Sequence, residues 1–495
     1  MIPIPLLVAL FLAFAVDGPS APPPEGADLI EAVLWVVAGG LLISGLSFAV
    51  GLGTAWRVRR RGYATSRMRR DLVIGSRLLN VGTMAVYGWM IFDRGWPGVV
   101  LDAWGWRGSI LVDDLLIVAP FLLMQLCYWW GTYYGERAIQ GLSIARSGRA
   151  TARHLYLKER QSLALILPIV SLFVIRNDVI GRLWPRWETN SWSEPVDLAV
   201  LGVGILLISP LFVRLAWPTR SLPDGPLRRR LETIARRSGF RFTDILVWDT
   251  DHLMVNACVT GVLPQFRYVL LSDALIDALS PLEIAAVFGH EAGHVAHRHL
   301  PFFLFFFVGC LTFLTLTSPV LNGLESWIAT VPGLDLASLP TLRGVVEGVL
   351  ALACVGVVFW LVFGEISRRF ERQADVFGCK AVSCGLTDCP PHFDFEDDEP
   401  EAPGPPIQAL CPAGIQIFSE ALASVAHQNG IDATARSWRH GSIASRIAFL
   451  QKLIDAPERE VLFQNRIRRF RFGLSALLVA SLAAAGAAHW LGLLG

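Results

Sequence analysis

The 495-residue sequence predicts a mainly α fold: a polytopic helical membrane protein carrying a small α+β unit outside the bilayer. Three observations predict it. The chain is 53% hydrophobic and only 17% charged, with a mean hydropathy of +0.48, too apolar for a soluble chain of this length. Apolar runs of membrane-spanning length recur along it. Between two of these runs, residues 220–300 read instead as a short helix, short strands and a capped helix.

Eight spans are expected, near 30–55, 72–92, 110–133, 162–182, 198–216, 301–319, 345–364 and 473–494. They divide the chain into a five-span block (28–219), the α+β unit (220–300), a two-span block (301–364), a second water-exposed part (365–470) and a C-terminal span (471–495). Charge follows the same division. Residues 57–70 hold seven arginines, the loop 93–109 only Arg94 and Arg107, and 135–160 again six basic residues. The basic stretches 228–237, 368–372 and 466–471 fall on the side of the first cluster, and the excess of positive charge makes that side cytoplasmic. Three tryptophans in 93–109 and three in 184–192 suit the opposite interface. Within residues 1–27, the apolar stretch 2–16 is short for a span and precedes a proline-rich segment. Its Ala13-Phe14-Ala15 has the form of a signal-peptide cleavage site but no basic region leads it, so a cleaved leader and a retained segment both stay open.

The α+β unit reads as a helix at 227–238, strands at 242–248, 253–258 and 267–271, and a final helix. Ser280 can cap that helix, Pro281 suits its first turn and Glu283 completes a capping box. It contains His290-Glu291-Ala292-Gly293-His294, an H-E-x-x-H pattern that places two imidazoles on one helical face within reach of one metal ion. Such a pattern is a zinc site with a general base at the glutamate, here Glu291, and makes the unit zincin-like. A catalytic zinc usually takes three protein ligands and keeps one position for water, so a third ligand is required.

The best candidate stands in the helix-like stretch 367–375, where Glu371 and Asp375 are four apart and share a face. By themselves they read as solvated charges balanced by Arg368, Arg369 and Arg372; paired with the upstream histidines they read as ligand and partner. Two more helices are expected near 413–429 and 441–455, after an acidic, proline-rich loop at 388–406 that reads as a surface insertion. His297 and His299 follow the motif, and His297 shares its face; both are expected as neighbours of the ligands, whereas His392 has no partner pattern. Cys379, Cys384, Cys389 and Cys411 cluster beside the acidic loop, where reduced thiols are expected and a second, structural metal site is the alternative.

His290 to His294, two apolar spans, then Glu371-x-x-Ala374-Asp375 resembles the M48 family of membrane zinc metalloproteases, in particular the Ste24-type CAAX prenyl proteases, with HtpX-type proteases as relatives. Asn256-Ala257-Cys258-Val259-Thr260-Gly261 is similar to the family's N-A-x-x-x-G, and His440 to Ile447 to its H-P-x-x-x-x-R-I element, with Gly441 in place of proline. The resemblance implies one zinc ion held by His290, His294 and Glu371, and Glu291 as the base that takes the proton of the attacking water. It also implies an acidic role for Asp375, either as proton donor or as the acceptor that orients a ligand histidine. His440 and Arg446 are the implied cations for the transition state, and Asn256 and Ala257 the strand edge that binds substrate.

The expected function is a membrane zinc metalloendopeptidase acting at the cytoplasmic face on peptides or membrane proteins, with the lipid bilayer as its other partner and no nucleic acid. CAAX-type prenyl-peptide processing is the alternative to quality control within that class, and a non-catalytic membrane protein with a structural metal site is the alternative outside it. Forty arginines against three lysines suggest a GC-rich genome and hence a bacterial inner membrane, with the endoplasmic reticulum as the alternative.

Overall fold

The computed structural model describes residues 27–107, 112–139, 193–252, 254–310, 359–384 and 409–490 almost without break, with short pieces and single positions between them. It divides into two units, Met1–Pro218 and Thr219–Gly495. The expected span at 162–182, residues 311–319 of the one at 301–319, most of the one at 345–364, and the leader stretch 2–16 lie largely outside the described residues.

In the first unit, α1 (Ala27–Arg61), α2 (Ser66–Phe92), α3 (Val112–Ile139) and α4 (Ser193–Ala216) cover four of the expected spans. α1 and α3 are long and apolar enough to cross a membrane. Leu34, Leu41 and Leu42 on α1 point outward, Leu41 with 69% of its surface exposed, as on a helix whose solvent is lipid. α2 is less apolar than these and carries Asn80, which donates to Tyr128 Oη on α3 at 3.1 Å, so its polar atoms are turned towards a neighbouring helix. α1 and α3 cross at glycine: a Cβ on Gly51 would lie 1.8 Å from the Gly131 carbonyl oxygen.

The second unit opens with β1 (Thr219–Ser221), α5 (Pro226–Ser238) and β2 (Asp244–Trp248), then β3 (Ala257–Thr260) and β4 (Tyr268–Ser272). The sheet order is β1-β2-β4-β3, with β2 and β4 parallel and the outer pairs antiparallel. β3 is therefore an edge. The strand expected at 253–258 begins only at Ala257 and runs on to Thr260. Val255 stays out of the ladder because the Asn429 side chain accepts from its N–H at 3.1 Å and donates to its carbonyl at 2.8 Å. Gly261 ends the strand with φ +98, where a Cβ would meet the Phe266 carbonyl oxygen.

A short helix, α6 (Asp273–Ala278), leads to α7 (Pro281–Ala296), whose capping box of Ser280 and Glu283 forms as its sequence requires. α8 (Gly364–Ala381), α9 (Pro412–Gln428), α10 (Ile443–Asp455) and α11 (Glu458–Trp490) complete the unit. One apolar core joins Val247, Val269 and Leu271 of the sheet to Phe288 of α7, Val376 of α8 and Phe418 of α9. α11 is the third helix long and apolar enough to cross a membrane, and Phe472 on it is 76% exposed.

Candidate metal centre

α7 carries His290, Glu291 and His294, and α8 carries Glu371 and Asp375. Glycine lets the two helices meet. A Cβ on Gly289 would lie 2.3 Å from the Ala381 Cβ, and one on Gly293 would lie 2.8 Å from the Phe377 Cβ and 3.2 Å from the Ala374 Cα. This close crossing brings one ligand atom each from His290, His294 and Glu371 within 4.8 Å of one another.

The imidazole tautomers follow from their partners. His290 Nδ1 lies 3.0 Å from Asp375 Oδ1, and an ionised carboxylate only accepts, so the proton belongs on Nδ1. His294 Nδ1 lies 2.9 Å from His299 Nδ1, while His299 Nε2 is 3.0 Å from Gln373 Oε1. Gln373 Nε2 donates to Gln464 Oε1 of α11 at 2.6 Å, which turns the Gln373 oxygen towards His299. His299 therefore donates from Nε2 and accepts at Nδ1, and His294 carries its proton on Nδ1. Despite its burial, the carboxylates of Asp375 and Glu371 raise His290 above its usual range; in its neutral form, both ligand candidates face each other with bare Nε2 lone pairs, 3.2 Å apart. Two lone pairs facing each other need a cation between them, and the separation is close to the ~3.3 Å of two nitrogens on a tetrahedral zinc with ~2.0–2.1 Å bonds. With Glu371 Oε2 at 3.7 Å from His290 Nε2 and Oε1 at 3.9 Å from His294 Nε2, the donor set of two neutral imidazoles and a carboxylate fits zinc.

Burial and neighbouring charge act together on these groups. Burial pushes His294 down to about 4, with His290 adding to the effect, and it also lowers His299 well below its usual range, so both stay neutral. Burial alone would raise Asp375 and Glu371. Arg446 outweighs it for Asp375, His440 and Arg446 outweigh it for Glu371, and both carboxylates end below their usual range. Arg446, itself buried, donates from Nε to Asp375 Oδ2 at 2.8 Å and from Nη2 to Oδ1, and its Nη1 lies 3.3 Å from Glu371 Oε2. Its guanidinium thus bridges the two carboxylates in this arrangement. His440 stands at the mouth, half exposed, with Nδ1 3.0 Å from Glu371 Oε1.

Glu291 projects to the other side of the histidines, towards the sheet edge. Its Oε2 accepts the N–H of Val259 at 3.2 Å, and burial, the largest influence, holds its carboxyl up at about 7. Just before β3 the Asn256 carbonyl accepts from the N–H of Ser272 of β4 at 3.0 Å, so the antiparallel alternation turns the backbone groups of Ala257 and Val259 outward. Glu291 lies against that outward edge, and the Asn256 side chain is exposed beside it.

His299, Gln373, Gln464 and Asn429 complete the surroundings, and helical spacing does not reveal them. Periodicity favours His297 over His299. However, α7 ends at Ala296 with His297 as its C-cap, the chain turns through Arg298 at φ +54, and His299 swings back beneath His294 while its ring stacks 4.0 Å from that of Phe370. His297 instead packs its ring against Phe377, and its carbonyl accepts from Arg471 at 2.8 Å.

Residues 221–389 match the model of the family described as peptidase family M48. A protease HtpX homolog of Bordetella pertussis is 30% identical over 196 residues, 36% of this chain and 62% of that protein. A CAAX prenyl protease 1 homolog of Dictyostelium discoideum is 27% identical over 244 residues, 47% of this chain and 54% of that protein. The chain thus spans between about half and two thirds of the length of these curated relatives. The crystal structure of S. mikatae Ste24p is similar with a TM-score of 0.49 at 17% identity, over 86% of this chain and 99% of that one.

Proposed function

We propose that this chain, related through residues 221–389 to the M48 peptidases, is an integral-membrane zinc metalloendopeptidase that cuts peptides or membrane proteins at the cytoplasmic face. One observation carries the reading: His290, His294 and Glu371 converge with their free ligand atoms on one point, and Glu291 stands between that point and an open strand edge. His290, His294 and Glu371 would hold the ion. When bound there, zinc lowers the pKa of a water and polarises the scissile carbonyl. Glu291 takes the water's proton at its carboxylate and returns it to the leaving amine.

The outward N–H and C=O of Ala257 and the C=O of Val259, whose own N–H is taken by Glu291, hold an extended peptide by main-chain hydrogen bonds, which fixes register across varied side chains. The exposed Asn256 amide lies beside that peptide. Asp375 orients His290 rather than donating a proton, since both of its oxygens are engaged by Arg446 and one also faces His290. The full chain, purified in detergent, should bind zinc and cleave an unfolded membrane protein. Glu291→Gln should keep the metal and lose cleavage; undiminished cleavage by that variant would overturn the assignment. Offering a farnesylated C-a-a-X peptide beside the unfolded protein separates the two substrate classes that the relatives' names represent.

A further inference from the structure

A second set of metal-ligating side chains stands where α8 gives way to α9. Cys384 follows the end of α8, Cys411 is the N-cap of α9, and Cys389 and His392 lie between them. One ligand atom from each of these four residues lies within 4.8 Å of all the others. Cys379, grouped with them by sequence proximity, is buried within α8 and is not among them; His392 takes its place. The imidazole is oriented for the purpose. His392 Nδ1 is 2.9 Å from the Val382 carbonyl oxygen, which can only accept, so the proton sits on Nδ1. The bare Nε2 then turns to the sulfurs, 4.0 Å from Cys411 Sγ. Cys411 Sγ also accepts the N–H of Gly414 at 3.3 Å, the environment of a helix N-terminus that favours a thiolate.

We infer that Cys384, Cys389, His392 and Cys411 form a structural zinc site, separate from the candidate peptidase centre. Three thiolates and one imidazole make a complete tetrahedral shell with no position for water, the pattern of a structural site. The carbonyl behind His392 is the outer partner that such ligands commonly have. The ion ties the start of α9 to the end of α8. α9 carries Phe418, whose ring stacks on that of His290 at 5.8 Å, so this tie also steadies the wall behind the first centre.

Zinc content of the full chain, purified in detergent under reducing conditions, tests the inference. Two ions per chain are expected, with one remaining in His294→Ala and a different one remaining in Cys389→Ser. Cobalt loaded into His294→Ala should give an intense thiolate-to-cobalt charge-transfer absorption, absent from Cys389→Ser. Should Cys389→Ser fail to fold, X-ray absorption at the zinc edge of the unaltered chain decides: sulfur neighbours at about 2.3 Å support the site. Only nitrogen and oxygen neighbours, a single zinc lost in His294→Ala, or a disulfide among the three cysteines would overturn it. A chain without proteolytic activity that still holds a sulfur-bound zinc would refute the proposed peptidase and leave this site standing.

Discussion

His299 touches neither the proposed ion nor the proposed substrate, yet it decides which nitrogen of His294 is free. Replacing it with phenylalanine keeps the ring stacked on Phe370 and removes the acceptor for His294 Nδ1. Zinc affinity at that centre should fall roughly 10–100-fold, measured by competition with a chromophoric chelator. The same buried histidines give the metal-free protein a defined pH response. His294 and His297 are both held at about 4 against a usual 6.5, and His299 lies low as well. Between 6.5 and 4 the unfolded chain binds protons that the folded chain refuses, so stability falls as pH drops through that window. Glu291, held near 7 against a usual 4.5, acts in the opposite sense, because there the folded state keeps a proton that the unfolded state has lost. Three histidines outweigh one carboxyl. Melting temperatures of the chelated protein should therefore decline from pH 6.5 to 4, and more steeply in Glu291→Gln.

The crossing of α7 and α8 is what turns an H-E-x-x-H helix into a three-ligand cluster. A methyl group at Gly293 would press on Phe377 and on the backbone of Ala374, one turn from Glu371. Gly293→Ala should cost about 1–3 kcal/mol by overpacking and should lower zinc occupancy, as read by thermal unfolding and metal analysis of the same preparation. Loss of stability with full zinc occupancy would show that the helices can separate without moving the ligand set. The capping box of α7 is legible from Ser280 and Glu283 because it involves only residues three apart. The glycine crossing is not, because Gly289 and Gly293 acquire their meaning only from Ala381 and Phe377, more than eighty residues away.

Over the whole chain, the outward apolar faces of α1, α3 and the far half of α11 make a bilayer the natural solvent of much of the molecule. The arginines at the end of α1 set its proposed orientation. A fluorescent-protein fusion after Gly62 should glow as cytoplasmic fusions do, and an alkaline phosphatase fusion near Gly105 should be active; the reverse pattern would invert the orientation and move the proposed site to the other face. The sequence by itself determined the apolar helices, the capped helix with its two histidines and the candidate carboxylates of the next helix. Those features depend on composition, spacing and residues close in the chain. Only the tertiary structure decided that Glu371 comes within reach of both histidines, that Arg446 bridges Glu371 and Asp375, that His299 rather than His297 backs His294, and that His392 joins three cysteines. Each of these depends on a turn or a helix crossing that brings distant residues to one point, and helical periodicity carries no information about where a chain goes after its helix ends.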